Sequence, residues 1–258
     1  MSDEAITCSI EGAVATITLN RPDAKNRLDA GAMQLMVEHL RETARDDAIR
    51  VVVITGSGTT FCSGADLAGA LAAAEGGFAS GGTSGLVELL TAMLDHPKPL
   101  VARVQGHVAG GGNGLVAACD IAVASSDARF AFSEVRVGVA PAIISVVCLQ
   151  VMHRRDAQEL LLTGERVSAD RVLAAGLVTA VAEAEALDAA VRAYVDVLLL
   201  GGPEATRNTK ALLRRVPVMT RDEAFAWTTE MSTGLFTSAE AREGMTAFLE
   251  KRKPEWAP

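Results

Sequence analysis

Two loops poor in side chains and one glutamate are the residues whose chemistry could matter most. The loops are 61–67 (FCSGADL) and 106–114 (GHVAGGGNG), and Glu134 follows in FAFSEV. A residue without a bulky side chain lets a ligand atom approach the main-chain N–H closely. The second loop runs into an apolar stretch that reads as a helix near 112–119, so the helix dipole would turn the amide of Gly111 or Gly112 toward a developing negative charge. Two such amides from separate loops make an oxyanion hole, in which one donor is often worth about 3–4 kcal/mol. Either loop alone reads equally well as a tight turn; the pair carries the argument. Glu134 lies among Phe130, Phe132 and Val135. An apolar setting disfavours the carboxylate and raises its pKa toward the range useful for proton transfer. Local sequence alone favours a surface carboxylate at a strand end.

Other chemistries that glycine-rich loops invite do not fit. Gly110, Gly111 and Gly112 lack the third glycine of a dinucleotide fingerprint, because Leu115 stands in its place. Glu134 is spaced from them as a ribose-binding acid would be, but the loop itself fails. GSGTTF (56–61) fails at Phe61, and no GK[ST], HExxH, S-x-x-K or G-x-S-x-G occurs. The histidines His39, His96, His107 and His153 have no ligand spacing. The four cysteines (Cys8, Cys62, Cys119, Cys148) show neither a disulfide pattern nor a metal rhythm, which predicts buried free thiols in a reducing compartment.

The chain that positions these residues has 258 residues, 49% of them apolar and only 4% aromatic, with a net charge of -8. That length buries a full core, and the acidic balance argues against nucleic acid as a partner. No apolar run approaches the length of a membrane span, and the acidic N-terminus lacks a signal-peptide pattern, so a soluble, cytoplasmic protein is expected. AITCSI and VATITL around Glu11-Gly12 predict an N-terminal hairpin, and Asp29 predicts the N-cap of a helix over about 30–46. VVVIT (51–55), LVARV (100–104) and DIAVAS (120–125) read as buried strands, 130–144 as a short strand and loop, and 177–181 as a last strand. The Ala- and Gly-rich stretch at 67–84 suits a flap before a helix over 85–95. Beyond residue 143 the pattern is almost all helical, ending in one helix over 220–252. Strand–strand–helix units at roughly 45–50-residue spacing predict an α/β fold of repeated right-handed turns. The amphipathic tail must pack on the core or on another subunit.

FCSGADL, GHVAGGGNGLVAACDIAVAS and FAFSEVRVGVAPA, in this order and spacing, resemble the enoyl-CoA hydratase/isomerase (crotonase) family. VATITLNRPDAKNRLD, LLTGERVSADRVLAAGLVTAV and GMTAFLEKRKPEW extend the resemblance over essentially the whole chain. It implies a spiral acyl-CoA-binding core of β-β-α turns over 1–200. A helical C-terminal oligomerisation region over 201–258 would follow, assembled as a homotrimer or dimer of trimers. It also implies an acyl-CoA thioester substrate and no metal or redox cofactor, coenzyme A being part of the substrate. The oxyanion amides fall on Ala65 and Gly111, which would hold the thioester oxygen as it becomes an enolate, and Glu134 falls on the general acid/base. Ala24 and Lys25 match the turn that meets the adenine and phosphates. Ser63, Asp66 and Leu67 line the first loop, and Phe248 and Lys251 match positions that reach the CoA of a neighbouring subunit. Hydratases of the family usually carry a second glutamate, whose position here is Gly114. That departure leaves open hydration with a single glutamate, Δ3,Δ2-enoyl-CoA isomerisation, hydrolysis, retro-Claisen cleavage, or a non-catalytic acyl-CoA-binding paralogue. Asn113 is a neighbour that could help to hold water.

Overall fold

The computed structural model describes residues 4–64 and 81–258. The N-terminal hairpin forms as expected: β1 (Ile6–Glu11) pairs antiparallel with β2 (Val14–Leu19). Helix α1 (Ala30–Arg45) starts at Asp29, whose side chain accepts from the Ala32 N–H at 2.9 Å and from the Arg21 guanidinium at 2.6 Å. That Arg21 bond is the main reason the Asp29 carboxyl is held below its ordinary pKa. A six-stranded sheet follows in the order β1-β2-β3-β5-β7-β10, parallel from β2 onward. Its further members are β3 (Val51–Gly56), β5 (Leu100–Val104), β7 (Ile121–Ser125) and β10 (Ala180–Ala182).

Strand side chains alternate between faces, so a strand buried on both sides reads as an unbroken apolar run. In β3, Val52 and Ile54 join the main core, while Val51 and Val53 face a second core with Leu187, Val191, Val195 and Leu199 of α7 (Leu187–Leu199). Ala102 and Val104 against Val101, and Ala122 and Ala124 against Val123, repeat the division in β5 and β7. One face thus carries α7, and the other carries α1, α2 (Gly81–Leu94) and the glycine-rich helix α3 (Gly111–Ala118).

Three short strands that the sequence reading missed make a second sheet, ordered β4-β6-β8-β9. They are β4 (Thr60–Cys62), β6 (His107–Ala109) and β9 (Arg166–Ser168); β8 (Arg129–Ala131) falls in the expected strand-and-loop segment. Three residues are too few to show a period in sequence. Each of β3, β5 and β7 is followed by one of these strands and then by a helix, α2, α3 or α4 (Ala142–Val151). The repeated turn is therefore real, but its spacing is uneven. The interval from Val51 to Leu100 fits the expected repeat, whereas Leu100 to Ile121 is less than half of it. The second turn is short because α3 follows β6 after a single residue, Gly110.

Helices α5 (Arg154–Thr163) and α6 (Ala169–Ala174) complete the core. The tail comprises α8 (Pro203–Arg215), α9 (Arg221–Phe236) and α10 (Ala239–Glu250). The single helix expected over 220–252 breaks at Thr237 and Ser238, where the Ser238 hydroxyl accepts from Ala241 and caps α10. Glu240 takes the N–H groups of Glu204 and Ala205, both at 2.8 Å, and so closes the N-terminus of α8. No residue of α9 is buried, and Phe225, Phe236, Phe248 and Leu249 stand exposed on the tail. No helix among the described residues is long and apolar enough to cross a membrane.

Buried Lys210 locks α8 to the sheet: its ammonium donates to Asp120 Oδ2 at 2.7 Å and to the Lys98 carbonyl at 3.0 Å. The same Asp120 oxygen accepts from the Leu100 N–H at 2.7 Å. Removing one partner of a buried pair strands the other, which costs about 3–5 kcal/mol in full burial. Since Asp120 keeps some solvent contact, Lys210→Ala is expected to lower stability by about 2–3 kcal/mol. Guanidinium unfolding measures this, and an unchanged midpoint would refute the link.

Candidate active site

The second sheet brings the chemistry-bearing segments together. Strands β4, β6 and β8 run parallel, so their C-terminal ends lie side by side. Ser63 and Gly64 leave the first end, Gly110 and Gly111 the second, and Phe132 to Glu134 the third. Gly64 has φ +87°, and a Cβ on it would lie 2.8 Å from the Ala109 carbonyl and 3.1 Å from the Gly111 nitrogen. The two loops therefore touch main chain to main chain. Gly110, at φ 51°, sits against the glutamate: a Cβ there would lie 3.4 Å from Glu134 Oε1. The next residue, Gly111, opens α3, and among the described residues no side chain caps that helix. The first turn of α3 thus begins one residue after the glycine that sits against the Glu134 carboxylate.

Glu134 occupies a one-turn 3-10 helix, Ser133–Val137, after the fully buried Phe130 and Phe132. Its Oε2 is buried without a hydrogen-bond partner among the described residues. Burial pushes its carboxyl above the ordinary 4.5, and the bond from its own backbone N–H offsets only part of this. On α4 the Cys148 thiol is pushed up to about 12, mainly by burial and further by the Glu134 charge.

Asn113 is turned toward the main chain of β8. Fully buried, it donates Nδ2 to the Ala131 carbonyl at 2.8 Å, and the Gly110 N–H meets the same oxygen at 3.2 Å. It thereby laces α3 to the strand that leads to Glu134. Gly114 faces hydrocarbon: a Cβ would lie 2.7 Å from Ile144 Cγ2 and 3.6 Å from Leu90 Cδ2. Gly111 is likewise flanked by Leu28 and Leu86, at 3.4 and 3.9 Å from its notional Cβ.

The turn holding Ala24 and Lys25 joins this arrangement through the main chain. The Ser63 N–H donates to the Lys25 carbonyl at 3.1 Å, and the Leu28 N–H to the Gly64 carbonyl at 2.8 Å. Buried Asn26, left-handed like Lys25, donates to the carbonyls of Ser57 and Thr60 at 2.9 and 2.6 Å and accepts from the Arg21 N–H. Sequence reasoning passed over Asn26, Gly64 and Ile144. Asn tolerates the left-handed region, which was the one signal available in RPDAKN. Lys25 is exposed. Ala65, Asp66 and Leu67, and most of the 67–84 flap, lie outside the described residues. Phe248 is 83% exposed on α10, and Lys251 is that helix's left-handed C-cap. Among the described residues no hydrogen bond ties either of them to the glycine loops.

Comparison with known proteins agrees with this geometry. The family model described as enoyl-CoA hydratase/isomerase matches residues 9–258. A short-chain-enoyl-CoA hydratase of Clostridium acetobutylicum is 31% identical, the match covering 95% of this chain and 94% of that protein. A carnitinyl-CoA dehydratase of Proteus mirabilis is 33% identical, covering 98% of each. A crystal structure of an enoyl-CoA hydratase from Mycobacterium smegmatis superposes with a TM-score of 0.94 at 35% identity, over 99% of this chain and 100% of that one.

The raised pKa of Glu134 makes a stability prediction. A carboxyl whose pKa is higher folded than unfolded favours the folded state below its unfolded pKa, and that contribution is lost as pH rises through the folded value. Glu134→Gln removes the charge, so the variant's melting temperature relative to the parent should rise from pH 4 to pH 7. Calorimetry at the two pH values checks this; a difference independent of pH would show that burial does not penalise the carboxylate.

Proposed function

The chain belongs to the enoyl-CoA hydratase/isomerase family, and on that premise we propose that it is an enoyl-CoA hydratase working with a single glutamate. The observation that carries this reading is the Glu134 carboxylate set against Gly110, beside the opening amides of α3. The thioester oxygen of a 2-enoyl-CoA accepts from the Gly111 N–H, with Ala65 as the second donor. As water adds its oxygen to C3, Glu134 takes the water's proton and electron density moves through C2 to the thioester oxygen, giving an enolate. Glu134 then returns a proton to C2, the thioester carbonyl re-forms, and the product is the 3-hydroxyacyl-CoA. Donors fixed before the charge develops stabilise the enolate more than the ground state. Burial of Glu134 suits both proton steps, because a raised pKa keeps the acid form accessible near neutral pH.

A second reading has its own support. Glycine at 114 against Ile144 leaves water with one fewer polar group to direct it, which favours Δ3,Δ2-enoyl-CoA isomerisation. There Glu134 would take a proton from C2 of a 3-enoyl-CoA and deliver one to C4. The names of the relatives favour hydration and dehydration. In both readings Ala24, Lys25, Ser63, Asp66 and Leu67 hold the CoA and the thioester end. The exposed apolar residues of the tail support assembly as a trimer or a dimer of trimers, in which Phe248 and Lys251 reach a neighbour's CoA.

A panel of 2-enoyl-, 3-enoyl- and β-ketoacyl-CoAs with product analysis tests the assignment. Hydration of 2-enoyl-CoA should be the fastest reaction, and Glu134→Gln should lower it at least about 100-fold. The parent's kcat/KM should fall with acidity through an ionisation above 4.5, the sense expected of a base that must be ionised. Faster conversion of 3-enoyl-CoA would select the isomerase. Wild-type rates in Glu134→Gln would reject the mechanism, and solvent deuterium failing to enter C2 of a bound saturated acyl-CoA would mark a non-catalytic binder.

A further inference from the structure

Gly114 opens no polar space, although it lies one helical turn beyond Gly110, where a Cβ would stand 3.4 Å from Glu134 Oε1. The direction its side chain would take is filled by α4 and α2. Ile144 Cγ2 stands 2.7 Å from a Cβ built on Gly114, Ile144 Cβ 3.3 Å, and Leu90 Cδ2 3.6 Å. Ile144 is 2% exposed. It is β-branched and held in a helix, so its Cγ2 cannot swing aside as the end of a flexible chain would. One turn further along α4, Cys148 Sγ packs 3.8 Å from the Asn113 carbonyl, which fixes the same helix face against α3. Leu86 and Leu90, a turn apart on α2, continue the hydrocarbon wall from Gly111 to Gly114.

The geometry points to Ile144 as a specificity-determining residue: seated on Gly114, it shuts a second carboxylate out of the site and leaves the handling of water to Glu134 alone. Positions 114 and 144 then form a coupled pair, and neither accepts a carboxylate-bearing arrangement without a change in the other. The packing half of this statement stands on the contacts. The catalytic half rests on the hydratase reading above.

The test is a cycle of Gly114→Glu, Ile144→Gly and the double variant, with Gly114→Gln/Ile144→Gly as an uncharged control. Glycine is needed at 144 because even an alanine Cβ would stay within 3.3 Å of the new side chain. Gly114→Glu forces a charge into a filled apolar site and should melt about 5–10 °C below the parent. The double variant should recover more than the sum of the single effects allows. It should also raise kcat for 2-enoyl-CoA hydration at least about tenfold over Ile144→Gly with KM little changed. The Gln control should recover stability without the gain in kcat. A parental melting temperature for Gly114→Glu, or additive single effects, would overturn the coupling whatever the reaction is. Coupled stability with no gain in kcat would overturn the specificity role. Loss of the hydratase reading would show separately, as Glu134-independent turnover in the otherwise unaltered protein.

Discussion

The main-chain contact between Gly64 and the Gly110–Gly111 pair is the constraint on which the rest of the site depends. Three strand ends can deliver an amide and a carboxylate to one place only if nothing stands between the loops that carry them. A methyl group on Gly64 would press on the Ala109 carbonyl and the Gly111 nitrogen at once, so the approach forbids any side chain there. The second sheet exists to hold that approach. Its strands are three residues long, and the parallel trio β4, β6 and β8 places its C-terminal ends side by side, with Ala109 opposite Ala131. Asn113 secures the register from behind by meeting the Ala131 carbonyl. The glycines are therefore where the packing of two loops and the exposure of backbone amides make the same demand.

That closeness sets the electrostatics. Glu134 is drawn into a setting where one of its oxygens finds no partner among the described residues, and the fold bears the cost of an awkwardly placed carboxylate. An enzyme tolerates such a group because burial moves its pKa in the useful direction. The neighbouring groups do not undo the shift. Cys148 stays a neutral thiol, and the wall of Leu86, Leu90 and Ile144 supplies no charge. Under the proposed reading, chemistry at this site passes through Glu134, working against fixed backbone dipoles.

Much of this was readable in the sequence, and the omissions have physical causes. The hairpin, α1 with its Asp29 cap, and the strands at 51, 100 and 121 carry strong periodic or capping signals, and they form as read. The strands β4, β6 and β9 are too short to carry a period, and their stability comes from neighbours distant in sequence. The break at 237–238 escaped notice because Ser238 is an N-cap within an otherwise helix-favouring run. In the site, Gly111 and Glu134 were singled out in the sequence, and the structure sets the neighbouring Gly110 against the Glu134 carboxylate. Ile144 was not. Its importance lies in a contact between positions thirty apart in the chain, and in sequence it is one more apolar residue in an apolar helix.

The least visible link joins the turn at Ala24 and Lys25 to the glycine loops. Lys25 and Asn26 both adopt left-handed backbone, a strained choice for residues with side chains, and Asn26 secures it with bonds from both ends of its amide. In return, the Lys25 carbonyl holds the Ser63 N–H and the Gly64 carbonyl holds the Leu28 N–H, so the turn and the first loop move as one body. Under the proposed reading, CoA held at Ala24 and Lys25 is then at a fixed distance from the Gly111 amide. Binding energy gained far from the thioester can be used to orient it, the condition under which remote contacts raise kcat as well as affinity. On that reading a buried asparagine that touches no reacting atom sets how well binding and chemistry are aligned, through the contact between the turn and the glycine loop.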